Sequence, residues 1–125
     1  MTGHASSGEM TVSFLEGFLN AWNQHDLDGI LATLTSDCLY ITGDGVRLKG
    51  HDEIRAGLSN FLSTYPDAHW YNATHFVAGD RGASEWILTA TGPDGNRIEL
   101  DSCDLFTFQD GLISSVSAYR RARPG

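Results

Sequence analysis

Apolar residues recur at helical spacing in the first quarter of the chain. The apolar positions lie three or four residues apart, which defines one stripe along a helix: Leu15, Phe18, Leu19 and Trp22. We therefore predict a first helix from near Ser6, where Glu9 can complete a capping box, to about Asn23.

Two later segments show the same helical spacing. The first follows Asp26, a capping residue, and its apolar positions are Leu27, Ile30, Leu31 and Leu34. The second is a predicted helix over 51–62, with inward positions Ile54, Leu58, Phe61 and Leu62. It ends before Pro66, because the residue that precedes a proline avoids helical angles.

The rest of the chain alternates like β-strands. A strand is predicted at 38–42, and four more at 68–77, 83–91, 97–108 and 112–119, with turns at "GDG", "GPDGN" and "QDG". Helices thus precede a long meander. The pattern predicts one α+β domain over 1–125, with an ordered core of about 8–120 and a frayed "RRARPG" tail. Its curved, mostly antiparallel sheet and three helices would form a conical half-barrel around a pocket.

Composition narrows the possible functions. The chain has 125 residues, 41% hydrophobic, with a net charge of −8 and only 8 Lys plus Arg, which argues against binding nucleic acid or anionic membranes. Cys38 and Cys103 lack metal-binding spacing, and the first ten residues lack the pattern of a signal peptide. We expect a cytoplasmic protein without metal, cofactor or membrane span.

One acidic residue stands in an apolar row. In "IELDSCDLFTF" the face that carries Asp104 also carries Leu100, Phe106 and Phe108. Burial there raises the pKa of a carboxyl group, so Asp104 can donate a hydrogen bond to a carbonyl or enolate oxygen, or act as a base when ionised. The alternative is a structural aspartate that a hydroxyl or backbone amide satisfies.

Three further residues are candidates for catalysis beside Asp104. Tyr40 can supply a hydroxyl donor from the first strand. Glu85 can supply a second carboxylate if the odd-numbered face of its strand lines the pocket. His75 is a candidate general base near neutral pH. The alternatives are a core tyrosine, a solvated glutamate and a surface or core histidine.

Other residues are candidates for contact with a substrate, mainly by their size and place in the predicted elements. Trp70 and His75 belong to opposite alternating rows of one strand, of which one row faces the cavity. The predicted substrate contacts are Phe18, Trp22, Thr42, Trp70, Ile87, Phe106 and Tyr119.

Three segments resemble a known superfamily when taken in order. "FLNAWNQHDLDGILATLTSDCLYI", "LKGHDEIRAGLSNFL" and "EWILTATGPDGNRIELDSCDLFTFQDGLI" are similar to the opening helices, third helix and central hairpin of nuclear-transport-factor-2-like proteins. The resemblance covers about 10–120 and is greatest with the SnoaL-like and ketosteroid-isomerase-like branch. It implies an apolar pocket, no cofactor and a homodimer packed through the sheet.

The resemblance transfers only part of a catalytic site. Asp104 occupies the position of the ketosteroid-isomerase proton donor, two residues before the first Phe of "F-x-F". Phe18 falls where those enzymes have the oxyanion-hole tyrosine, and Thr42 where they have the base. Ser117 falls near the aspartate base of SnoaL-like cyclases. Each known mechanism is therefore incomplete in this chain.

The leading hypothesis is a cofactor-independent enzyme that acts on a small apolar or aromatic carbonyl compound. It would be an isomerase, cyclase or lyase, with Asp104 and Tyr40 as donors and Glu85 or His75 as base. One alternative is a non-catalytic ligand-binding or dimerisation module. Another is an epoxide hydrolase or dehydratase that uses paired acids.

Overall fold

The structure, a computed structural model, describes residues 10–123, which form three helices and six strands. The three helices and five of the strands follow the order that the sequence pattern predicts. The elements are α1 (Val12–Asn23), α2 (Leu27–Ala32), β1 (Leu34–Ile41), β2 (Arg47–Lys49), α3 (Gly50–Thr64), β3 (His69–Ala78), β4 (Arg81–Thr91), β5 (Arg97–Gln109) and β6 (Leu112–Ala122). The α+β class is confirmed.

The strands form one curved, unclosed sheet in the order β2-β1-β6-β5-β4-β3. All neighbours are antiparallel except β1 and β6, which run parallel and are separated in sequence by α3 and by strands β2 to β5. Helix α1 contacts β3 and α3 contacts β1, so the helices cover one face of the sheet. That face is called the inner face below, and the opposite one the outer face.

Strand alternation assigns side chains to the two faces. On β4 and β5 the even-numbered positions are buried, among them Trp86, Leu88, Phe106 and Asp104. The register joins Ser84, Asp104 and Ala118 into one row across β4, β5 and β6 on the inner face. Asp104 therefore lies on the buried side of the sheet.

A bulge in β3 changes which residues face inward. The register with β4 shifts between Tyr71 and Thr74, and Asn72 adopts φ 54°, a left-handed conformation that asparagine tolerates better than most residues. Trp70 and His75 both lie on the inner face as a result, opposite Leu88 and Ser84. The expectation that only one of their rows faces inward was wrong, because it assumed strict alternation.

Several predicted boundaries also differ, among them the start of β1 at Leu34, a residue that was predicted to belong to the second helix. Helix α1 begins at Val12, later than predicted, because Thr11 is extended and its hydroxyl accepts the Phe14 amide hydrogen at 3.2 Å; Ser6 and Glu9 lie outside the described residues. Strand β2 was not predicted, since it spans only three residues. Strand β6 runs to Ala122, so the first part of the expected frayed tail is paired with β5.

Aromatic rings from both layers fill the space between α1 and the sheet. Phe18 is fully buried, and its ring meets Phe106 edge to face with centroids 5.6 Å apart. The ring centroid of Trp22 lies 5.0 Å from that of Trp70 and 6.2 Å from that of Phe61. Such contacts add to the free energy of burying large apolar surfaces, so this cluster holds α1 on the sheet.

We predict that Phe18→Ala lowers the free energy of unfolding by about 3–5 kcal/mol, because it leaves a cavity beside Phe106. Urea denaturation measures the change. Val12→Ala, at an exposed position of the same helix, is the matched control and should change stability by less than about 0.5 kcal/mol. Equal effects of the two substitutions would contradict this assignment of the core.

Candidate functional site

A cavity of about 440 Å³ opens between α3, the loop that follows β1, and the end of β6. It is referred to here as the pocket. Its wall is partly aromatic, from Trp22, Tyr40, Phe61 and Tyr65, and partly aliphatic, from Val46, Leu48 and Leu58. Its polar side chains are Thr42, Asp44, Asn60, Thr64 and Arg120. Trp22, Tyr40 and Thr42 were predicted from the sequence to contact a substrate or take part in catalysis.

Asp104 lies one strand beyond the pocket wall, on the inner face of β5. Its neighbours in the same row are Ser84 on β4 and Ala118 on β6, and Ser102 and Phe106 flank it on its own strand. Asp104 is only 5% exposed. Among the described residues, the hydroxyl of Ser102 is buried without a hydrogen-bond partner. The fold therefore does not satisfy every polar side chain around Asp104.

Burial controls the protonation of this carboxyl group. Loss of hydration raises the pKa of Asp104 from 3.8 to about 7, and the positive charge of Arg120 opposes the rise in part. Both protonation states of Asp104 are therefore populated near neutral pH. This is the property that a group needs in order to accept a proton and return it.

Tyr40 stands between Asp104 and the pocket. It is buried on the inner face of β1 and lines the pocket, and it pairs with Val116, the neighbour of Phe106. Burial raises its pKa well above 10, and the nearby charge of Asp104 adds to the rise. The phenol of Tyr40 therefore keeps its proton and can act as a hydrogen-bond donor.

Arg120 is a pocket residue that the sequence analysis missed. It was assigned to the tail, whereas it lies on β6 opposite Ser102, with an exposed side chain on the inner face. Its guanidinium carbon lies 5.1 Å from the centroid of the Phe61 ring. The signal that could have found it was the even numbering that it shares with Val116 and Ala118.

The loop after β1 forms part of the rim of the pocket, where the pocket opens to solvent. The Thr42 hydroxyl donates a hydrogen bond to the Asp44 carboxylate and accepts one from the Val46 amide at 3.0 Å. The bond from Thr42 is the main reason that the pKa of Asp44 is lowered. Asp44 therefore remains ionised and is a weak base.

The structure separates three predicted site residues from the pocket. Glu85, Ile87 and Tyr119 lie on the outer face, where they border an open cleft of about 640 Å³ together with Cys103. Tyr119 is 56% exposed. The expectation that Glu85 would stand beside Asp104 was wrong, because β4 pairs Glu85 with Cys103 and turns its side chain away from the inner face.

His75 lies on the inner face but does not line the pocket. Its Nδ1 is 2.7 Å from the hydroxyl of Ser84, the cross-strand neighbour of Asp104. It borders a different cleft, under α1, with Glu16 and Asn20. Burial lowers its pKa, which favours the neutral imidazole. Ser84 thus stands between His75 and Asp104.

Phe18, Trp70 and Phe106, predicted to contact substrate, form the packed floor beneath the pocket. Each is at most 5% exposed. The backbone amide of Trp70 donates to the side chain of Asn23 at 2.8 Å, and the Asn23 amide donates back to the Trp70 carbonyl at 2.9 Å. These bonds fix the end of α1 against β3, which sets the depth of the pocket.

Two structural features are absent from residues 10–123. No cluster of three or more His, Cys, Asp or Glu side chains is arranged to hold a metal ion. None of the helices in this range has the length and apolar character needed to cross a membrane.

Sequence comparison identifies the family. The model of the SnoaL-like domain matches residues 15–116, most of the chain, and the chain therefore belongs to the SnoaL-like domain family. No functionally curated protein matches the chain.

Solved structures share this fold at low sequence identity. A candidate polyketide cyclase from Pseudomonas putida KT2440 superposes with a TM-score of 0.82 at 20% identity, over 89% of this chain and 92% of its own. A candidate polyketide cyclase from Xanthomonas campestris gives 0.79 at 22%, over 86% and 87%. A protein of ketosteroid isomerase-like fold from Catenulispora acidiphila, in complex with trimethylamine, gives 0.79 at 15%, over 88% and 86%. These similarities confirm the fold.

We predict that Asp104→Asn becomes more stable relative to the wild type as the pH rises. Between pH 3.8 and about 7 the unfolded chain releases a proton that the folded protein retains on Asp104, so the wild type loses stability over this interval. Asparagine does not titrate. The difference in unfolding free energy should therefore change by about 4 kcal/mol in favour of the variant between pH 4 and pH 8.

Urea denaturation of both proteins at several pH values measures this difference. The control is Asp101→Asn, which alters an acid on the outer face of the same strand and should show no such trend. If the wild type and Asp104→Asn lose or gain stability in parallel over this range, Asp104 titrates normally in the folded protein.

Proposed function

We propose that this protein is a cofactor-independent enzyme that transfers a proton at the carbon next to a carbonyl group in a small apolar or aromatic compound. The observation that carries the proposal is the buried carboxyl of Asp104, which has a pKa of about 7 and lies one strand beyond the wall of a pocket lined by aromatic side chains. A base is most effective when its pKa is near the working pH.

Asp104 takes the role of base in this proposal. The other candidate bases are less suited, since Glu85 lies on the outer face, His75 borders a separate cleft and Asp44 has a lowered pKa. Ala118 on β6 lies beside Asp104, on the side toward β1, and its side chain is a single methyl group. A substrate carbon that enters over Ala118 would approach Asp104.

The proposed step moves one proton from the substrate to Asp104 and back. The ionised carboxylate of Asp104 removes a proton from the carbon, and the electrons of that C–H bond pass to the carbonyl oxygen as an enolate. The Tyr40 hydroxyl, which keeps its proton, donates a hydrogen bond to that oxygen. Neutral Asp104 then returns the proton to the same or another carbon of the substrate. In a cyclisation it gives the proton to the alkoxide that forms when the enolate attacks a second carbonyl of the substrate, and in an elimination it gives the proton to the leaving group. Isomerisation, cyclisation and elimination share this first step.

We predict that the protein accelerates exchange of the α-protons of 2-tetralone in D₂O, and that Asp104→Asn reduces the enzymatic rate by about a hundredfold or more. Proton NMR follows the loss of the α-proton signal. Asp101→Asn removes an acid from the outer face of the same strand and should exchange at the wild-type rate.

The pH dependence distinguishes a base from an acid at this position. The rate should fall about tenfold for each pH unit below 7 and reach a plateau above it, because only ionised Asp104 accepts a proton. If Asp104→Asn binds 2-tetralone and exchanges as the wild type does, the protein is better described as a ligand-binding domain.

We also propose that the protein forms a homodimer through the outer face of the sheet. Three large apolar side chains are exposed there, Phe76 at 53%, Leu105 at 39% and Tyr119 at 56%, on neighbouring rows of β3, β5 and β6. Apolar side chains grouped on one surface favour association.

Leu105→Glu should therefore convert a dimer into a monomer, because it places charges in the centre of that interface. Size-exclusion chromatography with light scattering measures the mass. Val12→Glu, on an exposed position of α1, should leave the mass of the wild type unchanged. A monomeric wild type would contradict the proposed assembly.

A further inference from the structure

The end of β6 and the residue that follows it carry three arginines, which differ in their surroundings. Arg121 lies 3.5 Å from Asp101 on the outer side, and Arg123 lies 2.8 Å from Asp101 and 3.5 Å from Glu99. Arg120 points to the inner face, and within the described part of the chain it forms no salt bridge. It is therefore a cation at the pocket that no described carboxylate neutralises by direct contact.

Packing, instead of an ion pair, determines where Arg120 lies. On one side its guanidinium carbon is 5.1 Å from the centre of the Phe61 ring of α3. On the other side Gly43 leaves the space that the arginine occupies, since a Cβ atom at Gly43 would come within 2.7 Å of both Cδ and Nε of Arg120. The side chain thus lies across the pocket rim between α3 and the loop after β1.

The charge of the whole protein makes this position significant. The net charge is −8, so an anionic ligand is repelled at long range. Among the described residues that line the pocket, Arg120 is the one cation, and Asp44, the one anion, is hydrogen-bonded to Thr42. An anionic group in this pocket has a single favourable charge to contact.

We propose that Arg120 is a specificity-determining residue, which selects ligands that carry a carboxylate or phenolate group on an aromatic framework. The inference rests on the proposed function and narrows its substrate to anion-bearing aromatic carbonyl compounds. The aromatic framework of the ligand would lie between Trp22, Phe61 and Tyr65. Its anionic group would accept two hydrogen bonds from the N–H groups of the planar guanidinium at the rim.

Two probes of similar size separate charge from shape. 2-Naphthoate is an anion at pH 8 and 2-acetylnaphthalene is a neutral ketone, and isothermal titration measures the affinity of each. We expect the wild type to bind 2-naphthoate about tenfold or more tightly than 2-acetylnaphthalene. Arg120→Met, which keeps an unbranched apolar stem, should remove this preference and leave the affinity for the neutral ketone within about twofold.

Three further variants show whether a change in ligand preference comes from Arg120 itself or from a general loss of folding. Arg121→Met removes an equal charge from the outer face of the adjacent position and should keep the preference. Arg120→Lys keeps the charge without the planar fork and should give an intermediate preference. Gly43→Ala keeps Arg120 itself but displaces it, so this variant should also lower the preference for the anion.

The proposal is overturned if the wild type binds both probes equally, if neither probe binds at millimolar concentration, or if Arg121→Met lowers the preference as much as Arg120→Met does. Failure of the proposed function gives a different result. If α-proton exchange is absent but the preference for 2-naphthoate depends on Arg120, the catalytic role of Asp104 fails and the role of Arg120 stands. If exchange depends on Asp104 and no preference exists, the reverse holds.

Discussion

The burial of one carboxyl group is the constraint that organises this molecule. Strand alternation places Asp104 on the inner face of β5 beside Phe106. The ring of Phe18 on α1 packs edge to face against Phe106. A charged group in such surroundings loses hydration, which raises its pKa to about 7 and costs stability at neutral pH. The same packing that closes the core therefore raises the pKa of Asp104 into the neutral range.

The surroundings of Asp104 also determine how that cost is limited. Arg120 lowers the pKa of the carboxyl from a distance, whereas the Ser84 hydroxyl beside it is bonded to His75 and the Ser102 hydroxyl has no hydrogen-bond partner among the described residues. A direct ion pair would hold Asp104 in the ionised form and remove its capacity to change state. The arrangement keeps both forms accessible, and it leaves Arg120 free to contact a ligand.

Local patterns in the sequence predicted most of the fold and the position of Asp104. Periods of 3.6 and 2 residues identify helices and strands, and an acid in an apolar row is visible without a structure. The partners of Asp104 were harder to predict, because they depend on register. The bulge at Asn72 turns His75 inward, the pairing of β4 with β5 turns Glu85 outward, and the length of β6 brings Arg120 to the pocket.

Family membership gives the scaffold and leaves the chemistry to individual residues. Solved structures at about 20% identity share the fold of this chain. By the resemblance to ketosteroid isomerases, however, Phe18 and Thr42 stand where those enzymes have a tyrosine and a base. Since the fold supports many functions, the chemistry depends on the individual side chains in and near this pocket. These are a protonated Tyr40 in its wall, an arginine at its rim and a buried Asp104 one strand beyond it.

The most direct measurement is the titration of the Asp104 carboxyl carbon by ¹³C NMR in the folded protein, with Asp104→Asn used to assign the signal. We expect the pKa of Asp104 to be near 7. A value near 3.9, that of a hydrated aspartate, would contradict it, because Asp104 would then be permanently ionised at neutral pH and a poor base.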